Sequence, residues 1–191
     1  MLDLSTKRAA PLAEAIQMAG DATLVPAPAA TRFILRGAAA VDAVGKAFGV
    51  ALPTRPCRAE SSGDHAALWL GPDEWLLLAP VAETETLQAT LNQAVAGIAC
   101  AVVDISHRQT AVLLQGAGAT AILNAGTPLD LSLTAFPVGM AVRTIFEKAE
   151  IVLWRNGETS FHIEVWRSFA PYVVALLKAA RDDEAAASAL N

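Results

Sequence analysis

Two stretches of the chain are apolar on successive residues, and each is cut by a turn. The first reads Ala67-Leu68-Trp69-Leu70, then Gly71-Pro72-Asp73-Glu74, then Trp75-Leu76-Leu77-Leu78-Ala79. Gly, Pro and Asp favour turns, so a β-hairpin with a turn of about four residues is predicted. A strand without polar alternation has no water-facing side. Either the fold covers both faces or a partner covers one. About 85 residues later the pattern returns: Ile151-Val152-Leu153-Trp154, a turn over 155–159, and a strand over 160–165. In that last strand Phe161, Ile163 and Val165 alternate with polar neighbours, as a half-buried strand should.

The rest of the chain arranges itself around these hairpins. Residues 1–30 read as an arm, with a short amphipathic helix over 11–18 and an extended Val25-Pro26-Ala27-Pro28 lead. Such an arm more often packs on its own domain; docking on a partner is the sharper alternative. Residues 31–36 read as a strand ended by Gly37. Val41, Val44 and Phe48 mark one face of a helix over 38–48, stopped by Gly49. Residues 52–64 read as a loop rich in Pro, Ser and Gly. After the first hairpin, Leu87, Leu91, Val95 and Ile98 space out a helix over about 82–96, and 101–105 form a strand.

The chain then begins again. Residues 110–116 match 31–37 in length and pattern and end in the same Gly. A helix over 117–124, a loop over 129–139, a strand over 141–146 and the second hairpin follow. Ser168 is placed to cap a last helix whose core face carries Phe169, Tyr172, Val173, Leu176 and Ala180. The predicted class is α+β: two pseudo-repeated ferredoxin-like halves of one compact domain, over 31–106 and 107–181, with a frayed tail at 182–191.

Composition narrows the function. Of 191 residues, 54% are hydrophobic and only 17% charged, which raises the expectation of a surface buried against other chains. No apolar run approaches a bilayer span, and no apolar segment follows Lys7 and Arg8, so a cytoplasmic location without a membrane is expected. A net charge of −5 with scattered basic residues argues against a nucleic-acid partner. Cys57 and Cys100 read as isolated thiols.

Candidate chemistry is sparse. His65, His107 and His162 have no metal-ligand neighbours at zinc spacing. His65, beside Asp64, reads as solvated, and His162 as a polar-face residue. No nucleophile elbow, dinucleotide fingerprint or P-loop is present, and Gly116-Ala117-Gly118 reads as a strand-to-helix turn. The densest polar cluster is Asp104-Ile105-Ser106-His107-Arg108-Gln109. Adjacent residues point different ways, so this is no triad. Asp104 and Ser106 are expected to satisfy backbone donors and Arg108 to pair with Asp104.

That cluster, the strand over 110–116 and the helix after it resemble the N-terminal motif of the glycine-cleavage T-protein (aminomethyltransferase) superfamily. Gly139-Met140-Ala141 and its strand are similar too. Over about residues 11–178 the chain looks most like one branch of it, the gamma subunits of heterotetrameric sarcosine oxidase. The similarity lies in Gly71-Pro72-Asp73-Glu74-Trp75-Leu76-Leu77, in Asp104-Ile105-Ser106-His107-Arg108, in Phe136-Pro137-Val138-Gly139-Met140, and in the strand from Phe161 to Trp166 running into Ser168-Phe169-Ala170.

The resemblance implies a T-protein-like, folate-binding-type fold. It also implies an assembly that oxidises sarcosine to glycine, yields hydrogen peroxide and passes the one-carbon unit to tetrahydrofolate. FAD, FMN, NAD, tetrahydrofolate and zinc are then expected on other subunits, and the alpha, beta and delta subunits as partners. Where folate-dependent members carry an Asp-Asp pair, this chain has Ile151-Val152-Leu153-Trp154; Trp166 and Arg167 replace their Asn. A site without its acid cannot do acid–base work there, so no catalytic, cofactor or metal residue is expected. Trp69, Trp75, Leu77, Asp104, His107 and Arg108 are instead the candidate interface residues. The alternative is a stand-alone folate-binding one-carbon protein using an unfamiliar acid, with Asp73, Glu74 or Asp104 as candidates. A tRNA-modification accessory is disfavoured by the acidic charge.

Overall fold

The computed structural model describes residues 22–188; the helix expected over 11–18 lies outside them. The described chain runs β1 (Thr23–Pro26), β2 (Ala30–Arg36), α1 (Val41–Phe48), β3 (Ala59–Ser62), β4 (His65–Gly71), β5 (Glu74–Pro80), α2 (Thr84–Ala94), β6 (Ala101–Asp104) and β7 (Gln109–Gln115). It continues through α3 (Ala119–Asn124), β8 (Ala141–Phe146), β9 (Ala149–Gly157), β10 (Ser160–Trp166) and α4 (Ala170–Ser188). The strands form two five-stranded sheets, β3-β4-β5-β2-β6 and β8-β9-β10-β7-β1, with every neighbouring pair antiparallel.

Side-chain alternation then decides the layers. In the first sheet Phe33, Leu35, Ala67, Trp75 and Leu77 pack against Val44 and Phe48 of α1 and Leu87 and Leu91 of α2. In the second, Val112, Leu114, Ile151, Leu153, Phe161 and Ile163 pack against α3 and α4. The opposite faces meet each other: Ile34, Ala66, Leu68, Leu76 and Leu78 of the first sheet lie against Ala141 and Val152 of the second. The order of layers is helix, sheet, sheet, helix. This answers the hairpin puzzle. β4 and β5 are apolar on successive residues because helices cover one face and the other sheet covers the other. Burying each Leu of Leu76, Leu77 and Leu78 contributes about 1.5–3 kcal/mol. The partner alternative is not needed for this stretch.

Several local expectations change. β3 lies inside the predicted 52–64 loop, pairing with β4 from Ala59↔Leu68 to Ser62↔His65. Its exposed Glu60, Ser61 and Ser62 hide the strand from a hydrophobic reading. Residues 23–26 are a strand paired with β7, so this part of the arm belongs to the second sheet. β4 and β5 close over Pro72-Asp73, with a bulge between Trp69 and Gly71, a tighter turn than expected. α4 begins one residue later than a Ser168 cap would set, and it runs on through Ser188 instead of ending near 181.

Two glycines are fixed by space. Gly37 has φ +123°, and a Cβ there would meet the Cβ of Cys100 at 2.7 Å. A Cβ on Gly126 would meet the buried Phe146 ring at 2.6 Å.

Candidate functional site

The alternation that sends Phe161, Ile163 and Val165 toward the helices sends His162 and Glu164 toward the other sheet. Likewise β2 sends Phe33 and Leu35 to its helices and Arg32 across. The two meet: Arg32 Nε donates to Glu164 Oε2 at 2.6 Å, with side-chain exposures of 5% and 0%. His162 Nε2 lies 2.8 Å from Glu164 Oε1. Burial pushes the Glu164 carboxyl up, but the His162 hydrogen bond, the Arg32 and His162 charges and the Arg32 hydrogen bond together hold it below its ordinary 4.5. The expected water-facing side of β10 is therefore an interior polar face.

A second bridge between the sheets lies around Glu74, the first residue of β5. Arg143 of β8 donates to it through both terminal nitrogens, at 2.7 and 3.1 Å, and Arg36 lies at 2.9 Å. Partial burial raises the Glu74 pKa. The Arg143 hydrogen bond and the charges of Arg143, Arg36 and Arg108 outweigh it and lower the value overall. Both carboxylates are held ionised, Glu164 by His162 and Arg32 and Glu74 by its arginines, which suits joining two sheets and not donating protons near neutral pH. Of the other candidate acids, Asp73 lies 3.6 Å from Arg36. Asp104 Oδ1 accepts from both the Ser106 backbone N–H and hydroxyl.

The turn between β6 and β7 lies at the surface. Ser106 Oγ accepts from the Arg32 backbone N–H at 2.9 Å, so the turn ties β2 to the crossover as expected. Arg108 does something else. Its guanidinium lies 5.2 Å from the Trp166 ring centroid, a cation–π contact in place of the expected ion pair with Asp104. Trp166 is 40% exposed, Phe169 42% and Tyr172 37%, while the other eight of the chain's eleven aromatic residues are buried or half-buried. Asp104, His107 and Arg108 are exposed beside this aromatic corner, and the Arg167 backbone N–H donates to the Arg108 carbonyl.

The predicted interface residues therefore separate. Trp75 (2% exposed) and Leu77 (0%) are core residues beyond a partner's reach, because the helix layer covers their face of the hairpin. Trp75 Nε1 donates to the Pro53 carbonyl at 2.8 Å. Trp69 is half-buried opposite Trp75. His65 is not solvated: it stacks on Phe48, and its ring nitrogens lie 2.8 Å from the Phe48 carbonyl and 3.0 Å from Glu83. The sequence reading missed Arg32 and Glu164. The available signal was a charge inside each of two otherwise core-forming strands. Among the described residues no group of three or more His, Cys, Asp or Glu is arranged to hold a metal ion, and no helix is long and apolar enough to cross a membrane.

Comparison with known proteins bears on this architecture. The family model for the sarcosine oxidase gamma subunit matches residues 35–183. The gamma subunit of sarcosine oxidase from Corynebacterium sp. (strain U-96) is 34% identical over 188 residues, covering 91% of this chain and 90% of that one. The corresponding subunit from Corynebacterium sp. (strain P-1) is 35% identical over 139 residues, 72% of this chain and 68% of that one. Among solved structures, a chain of the heterotetrameric sarcosine oxidase from Corynebacterium sp. U-96, in complex with pyrrole 2-carboxylate, superposes with a TM-score of 0.83. It is 32% identical, with 91% of this chain and 94% of that chain covered. The glycine cleavage system aminomethyltransferase T from Bartonella henselae shares the fold at a TM-score of 0.67 and 19% identity, over 89% of this chain and 49% of that chain. On sequence and fold together, the chain belongs to the sarcosine oxidase gamma subunit family.

Proposed function

We propose that this chain is the non-catalytic gamma subunit of a heterotetrameric sarcosine oxidase, working in the cytoplasm beside alpha, beta and delta subunits. The assembly oxidatively demethylates sarcosine to glycine, with formation of hydrogen peroxide and transfer of the one-carbon unit to tetrahydrofolate. FAD, FMN, NAD, tetrahydrofolate and zinc are assigned to the other subunits, and this chain braces them as a rigid double-sheet module. The observation that carries this is the near full-length likeness to a chain of the heterotetrameric enzyme. The engagement of Asp73, Glu74 and Asp104 by neighbouring groups supports it against the stand-alone folate enzyme.

The docking surface is assigned to the corner of Asp104, His107 and Arg108, extended by Trp166, Phe169 and Tyr172. Exposed aromatics and arginine are the residue types that dominate interface energetics. Trp69 is assigned to a secondary contact. The two sheets are taken as pseudo-repeated ferredoxin-like halves, which the corresponding orders β3-β4-β5-β2 and β8-β9-β10-β7 support.

Purification from the native cell tests the assignment: the chain is expected to elute with the other oxidase subunits. Trp166→Ala with Phe169→Ala is expected to deplete those partners while leaving the melting temperature of the chain unchanged. A partner-free wild-type chain that binds tetrahydrofolate saturably in calorimetry would overturn the reading in favour of the stand-alone enzyme.

A further inference from the structure

The space between the sheets is filled around Val152, Arg32 and Glu164. At the far end of β5, by Leu78, Ala79 and Pro80, the sheets part around a cleft of about 490 Å³. That volume falls within the range of small-molecule sites, roughly 300–1,000 Å³. Strand register places its walls. Leu113, His162 and Trp154 are direct neighbours across β7, β10 and β9, and Ala66 and Leu78 are neighbours across β4 and β5. Pro28, just before β2, and Asp64, on the β3–β4 turn, stand at the exposed rim.

One polar atom of this lining is unsatisfied. Trp154 is half-buried, and its indole Nε1 is closed to solvent, with no hydrogen-bond partner among the described residues. Trp75 shows the ordinary outcome for a buried indole, donating to the Pro53 carbonyl at 2.8 Å. Leaving a buried donor unpaired is costly, and folded proteins seldom do so without a use for it. An indole N–H only donates, so the group that completes it is an acceptor. An ammonium also only donates and would leave it unpaired. The indole is backed by a fixed neighbour: His162 is anchored through Nε2 to Glu164 at 2.8 Å, and the two ring centroids lie 5.8 Å apart. No lysine or arginine lines the cleft, so an acceptor entering it meets an N–H donor and not a surface cation.

We propose that this cleft binds a small molecule that presents a carbonyl or carboxylate oxygen on an apolar body. The oxygen accepts from Trp154 Nε1–H, and the body lies between Leu78 and Leu113. The site is built from this chain alone and shares no residue with the docking corner around Arg108 and Trp166.

The test uses benzamide and benzoate as probes on the full chain, labelled with 15N at its indole nitrogens, in whatever assembly it purifies. Trp154→Phe identifies the Trp154 cross-peak among those of the four tryptophans. At least one probe should move that peak downfield, saturably and in the millimolar range. The tighter of the two reports whether the oxygen is a neutral carbonyl or a carboxylate. Benzylammonium, the same body with a donor-only head, should bind about tenfold more weakly. Trp154→Phe, followed by saturation-transfer NMR, should weaken the tighter probe about fivefold. Ala29→Trp, at an exposed position on the rim, should abolish binding and leave the melting temperature unchanged. A Trp154 cross-peak unmoved by both probes overturns the proposal. So does benzylammonium binding as tightly as the better probe, or wild-type affinity in either variant.

Discussion

Replacing Glu164 by Gln tests whether the two sheets are held by a buried charge pair or merely by apolar contact. The amide keeps the shape of the side chain and removes its charge. Arg32, with 5% of its side chain exposed, would then keep its Nη1 hydrogen bond to the Ala30 carbonyl at 2.9 Å but lose its counter-ion. Breaking a buried pair from one side typically costs about 3–5 kcal/mol, because the remaining charge is left uncompensated. With a urea m-value of about 2–3 kcal/mol/M, the unfolding midpoint should fall by roughly 1–2 M.

The double variant Arg32→Met with Glu164→Leu removes both charges. It should recover most of the loss, since apolar replacement of a whole buried pair is often neutral. The assay is urea unfolding of the full chain for wild type, Glu164→Gln, the singles Arg32→Met and Glu164→Leu, and the double that combines those two. A Glu164→Gln loss below about 0.5 kcal/mol, or two single losses that simply add in the double, would refute the reasoning. The pH dependence carries the same sign. The folded Glu164 carboxyl lies below its ordinary 4.5. Its contribution is therefore complete above that value and is lost as pH falls through the folded pKa. The gap between wild type and Glu164→Gln should narrow on acidification.

Four further outcomes follow from particular contacts. Trp75→Ala should cost about 3–5 kcal/mol by cavity formation, read as a fall in urea midpoint, and weaken assembly only in proportion to unfolding. Trp75→Phe, which deletes the hydrogen bond to Pro53 and leaves an aromatic ring, should cost less than the Ala variant. Gly126→Ala should destabilise by about 1–3 kcal/mol, because the buried Phe146 ring has no room to yield to a new methyl; unchanged melting would contradict that packing. Glu74→Gln should flatten the acid limb of the stability profile, since the depressed carboxyl gives stability that is present near neutrality and lost as pH drops.

Much of this molecule is legible one element at a time. The strand–Gly–helix starts at residues 31 and 110, the helix stop at Gly49 and both hairpins come from local chemistry: turn formers, helix spacing and the αL tolerance of glycine. β3 escaped because its exposed polar residues carry no hydrophobic signal, and its existence depends on pairing with β4. β1 escaped because its partner, β7, lies about 90 residues away in sequence.

The site residues divide along the same line. Asp104 and Ser106 were readable as a backbone-satisfying turn because all their partners but one are within two residues. Arg108 was misassigned because its actual partner, Trp166, is contributed by a strand that only the folded sheet brings near. By itself the sequence determined which residues alternate, which turns close and which family pattern the chain carries. Only the tertiary structure decided that the alternating polar face of β10 is interior, that Arg32 answers Glu164, and that Trp75 and Leu77 of the first hairpin belong to the core. Period-2 alternation states that a strand has two faces, whereas the layer stacked on each face determines which of them meets water.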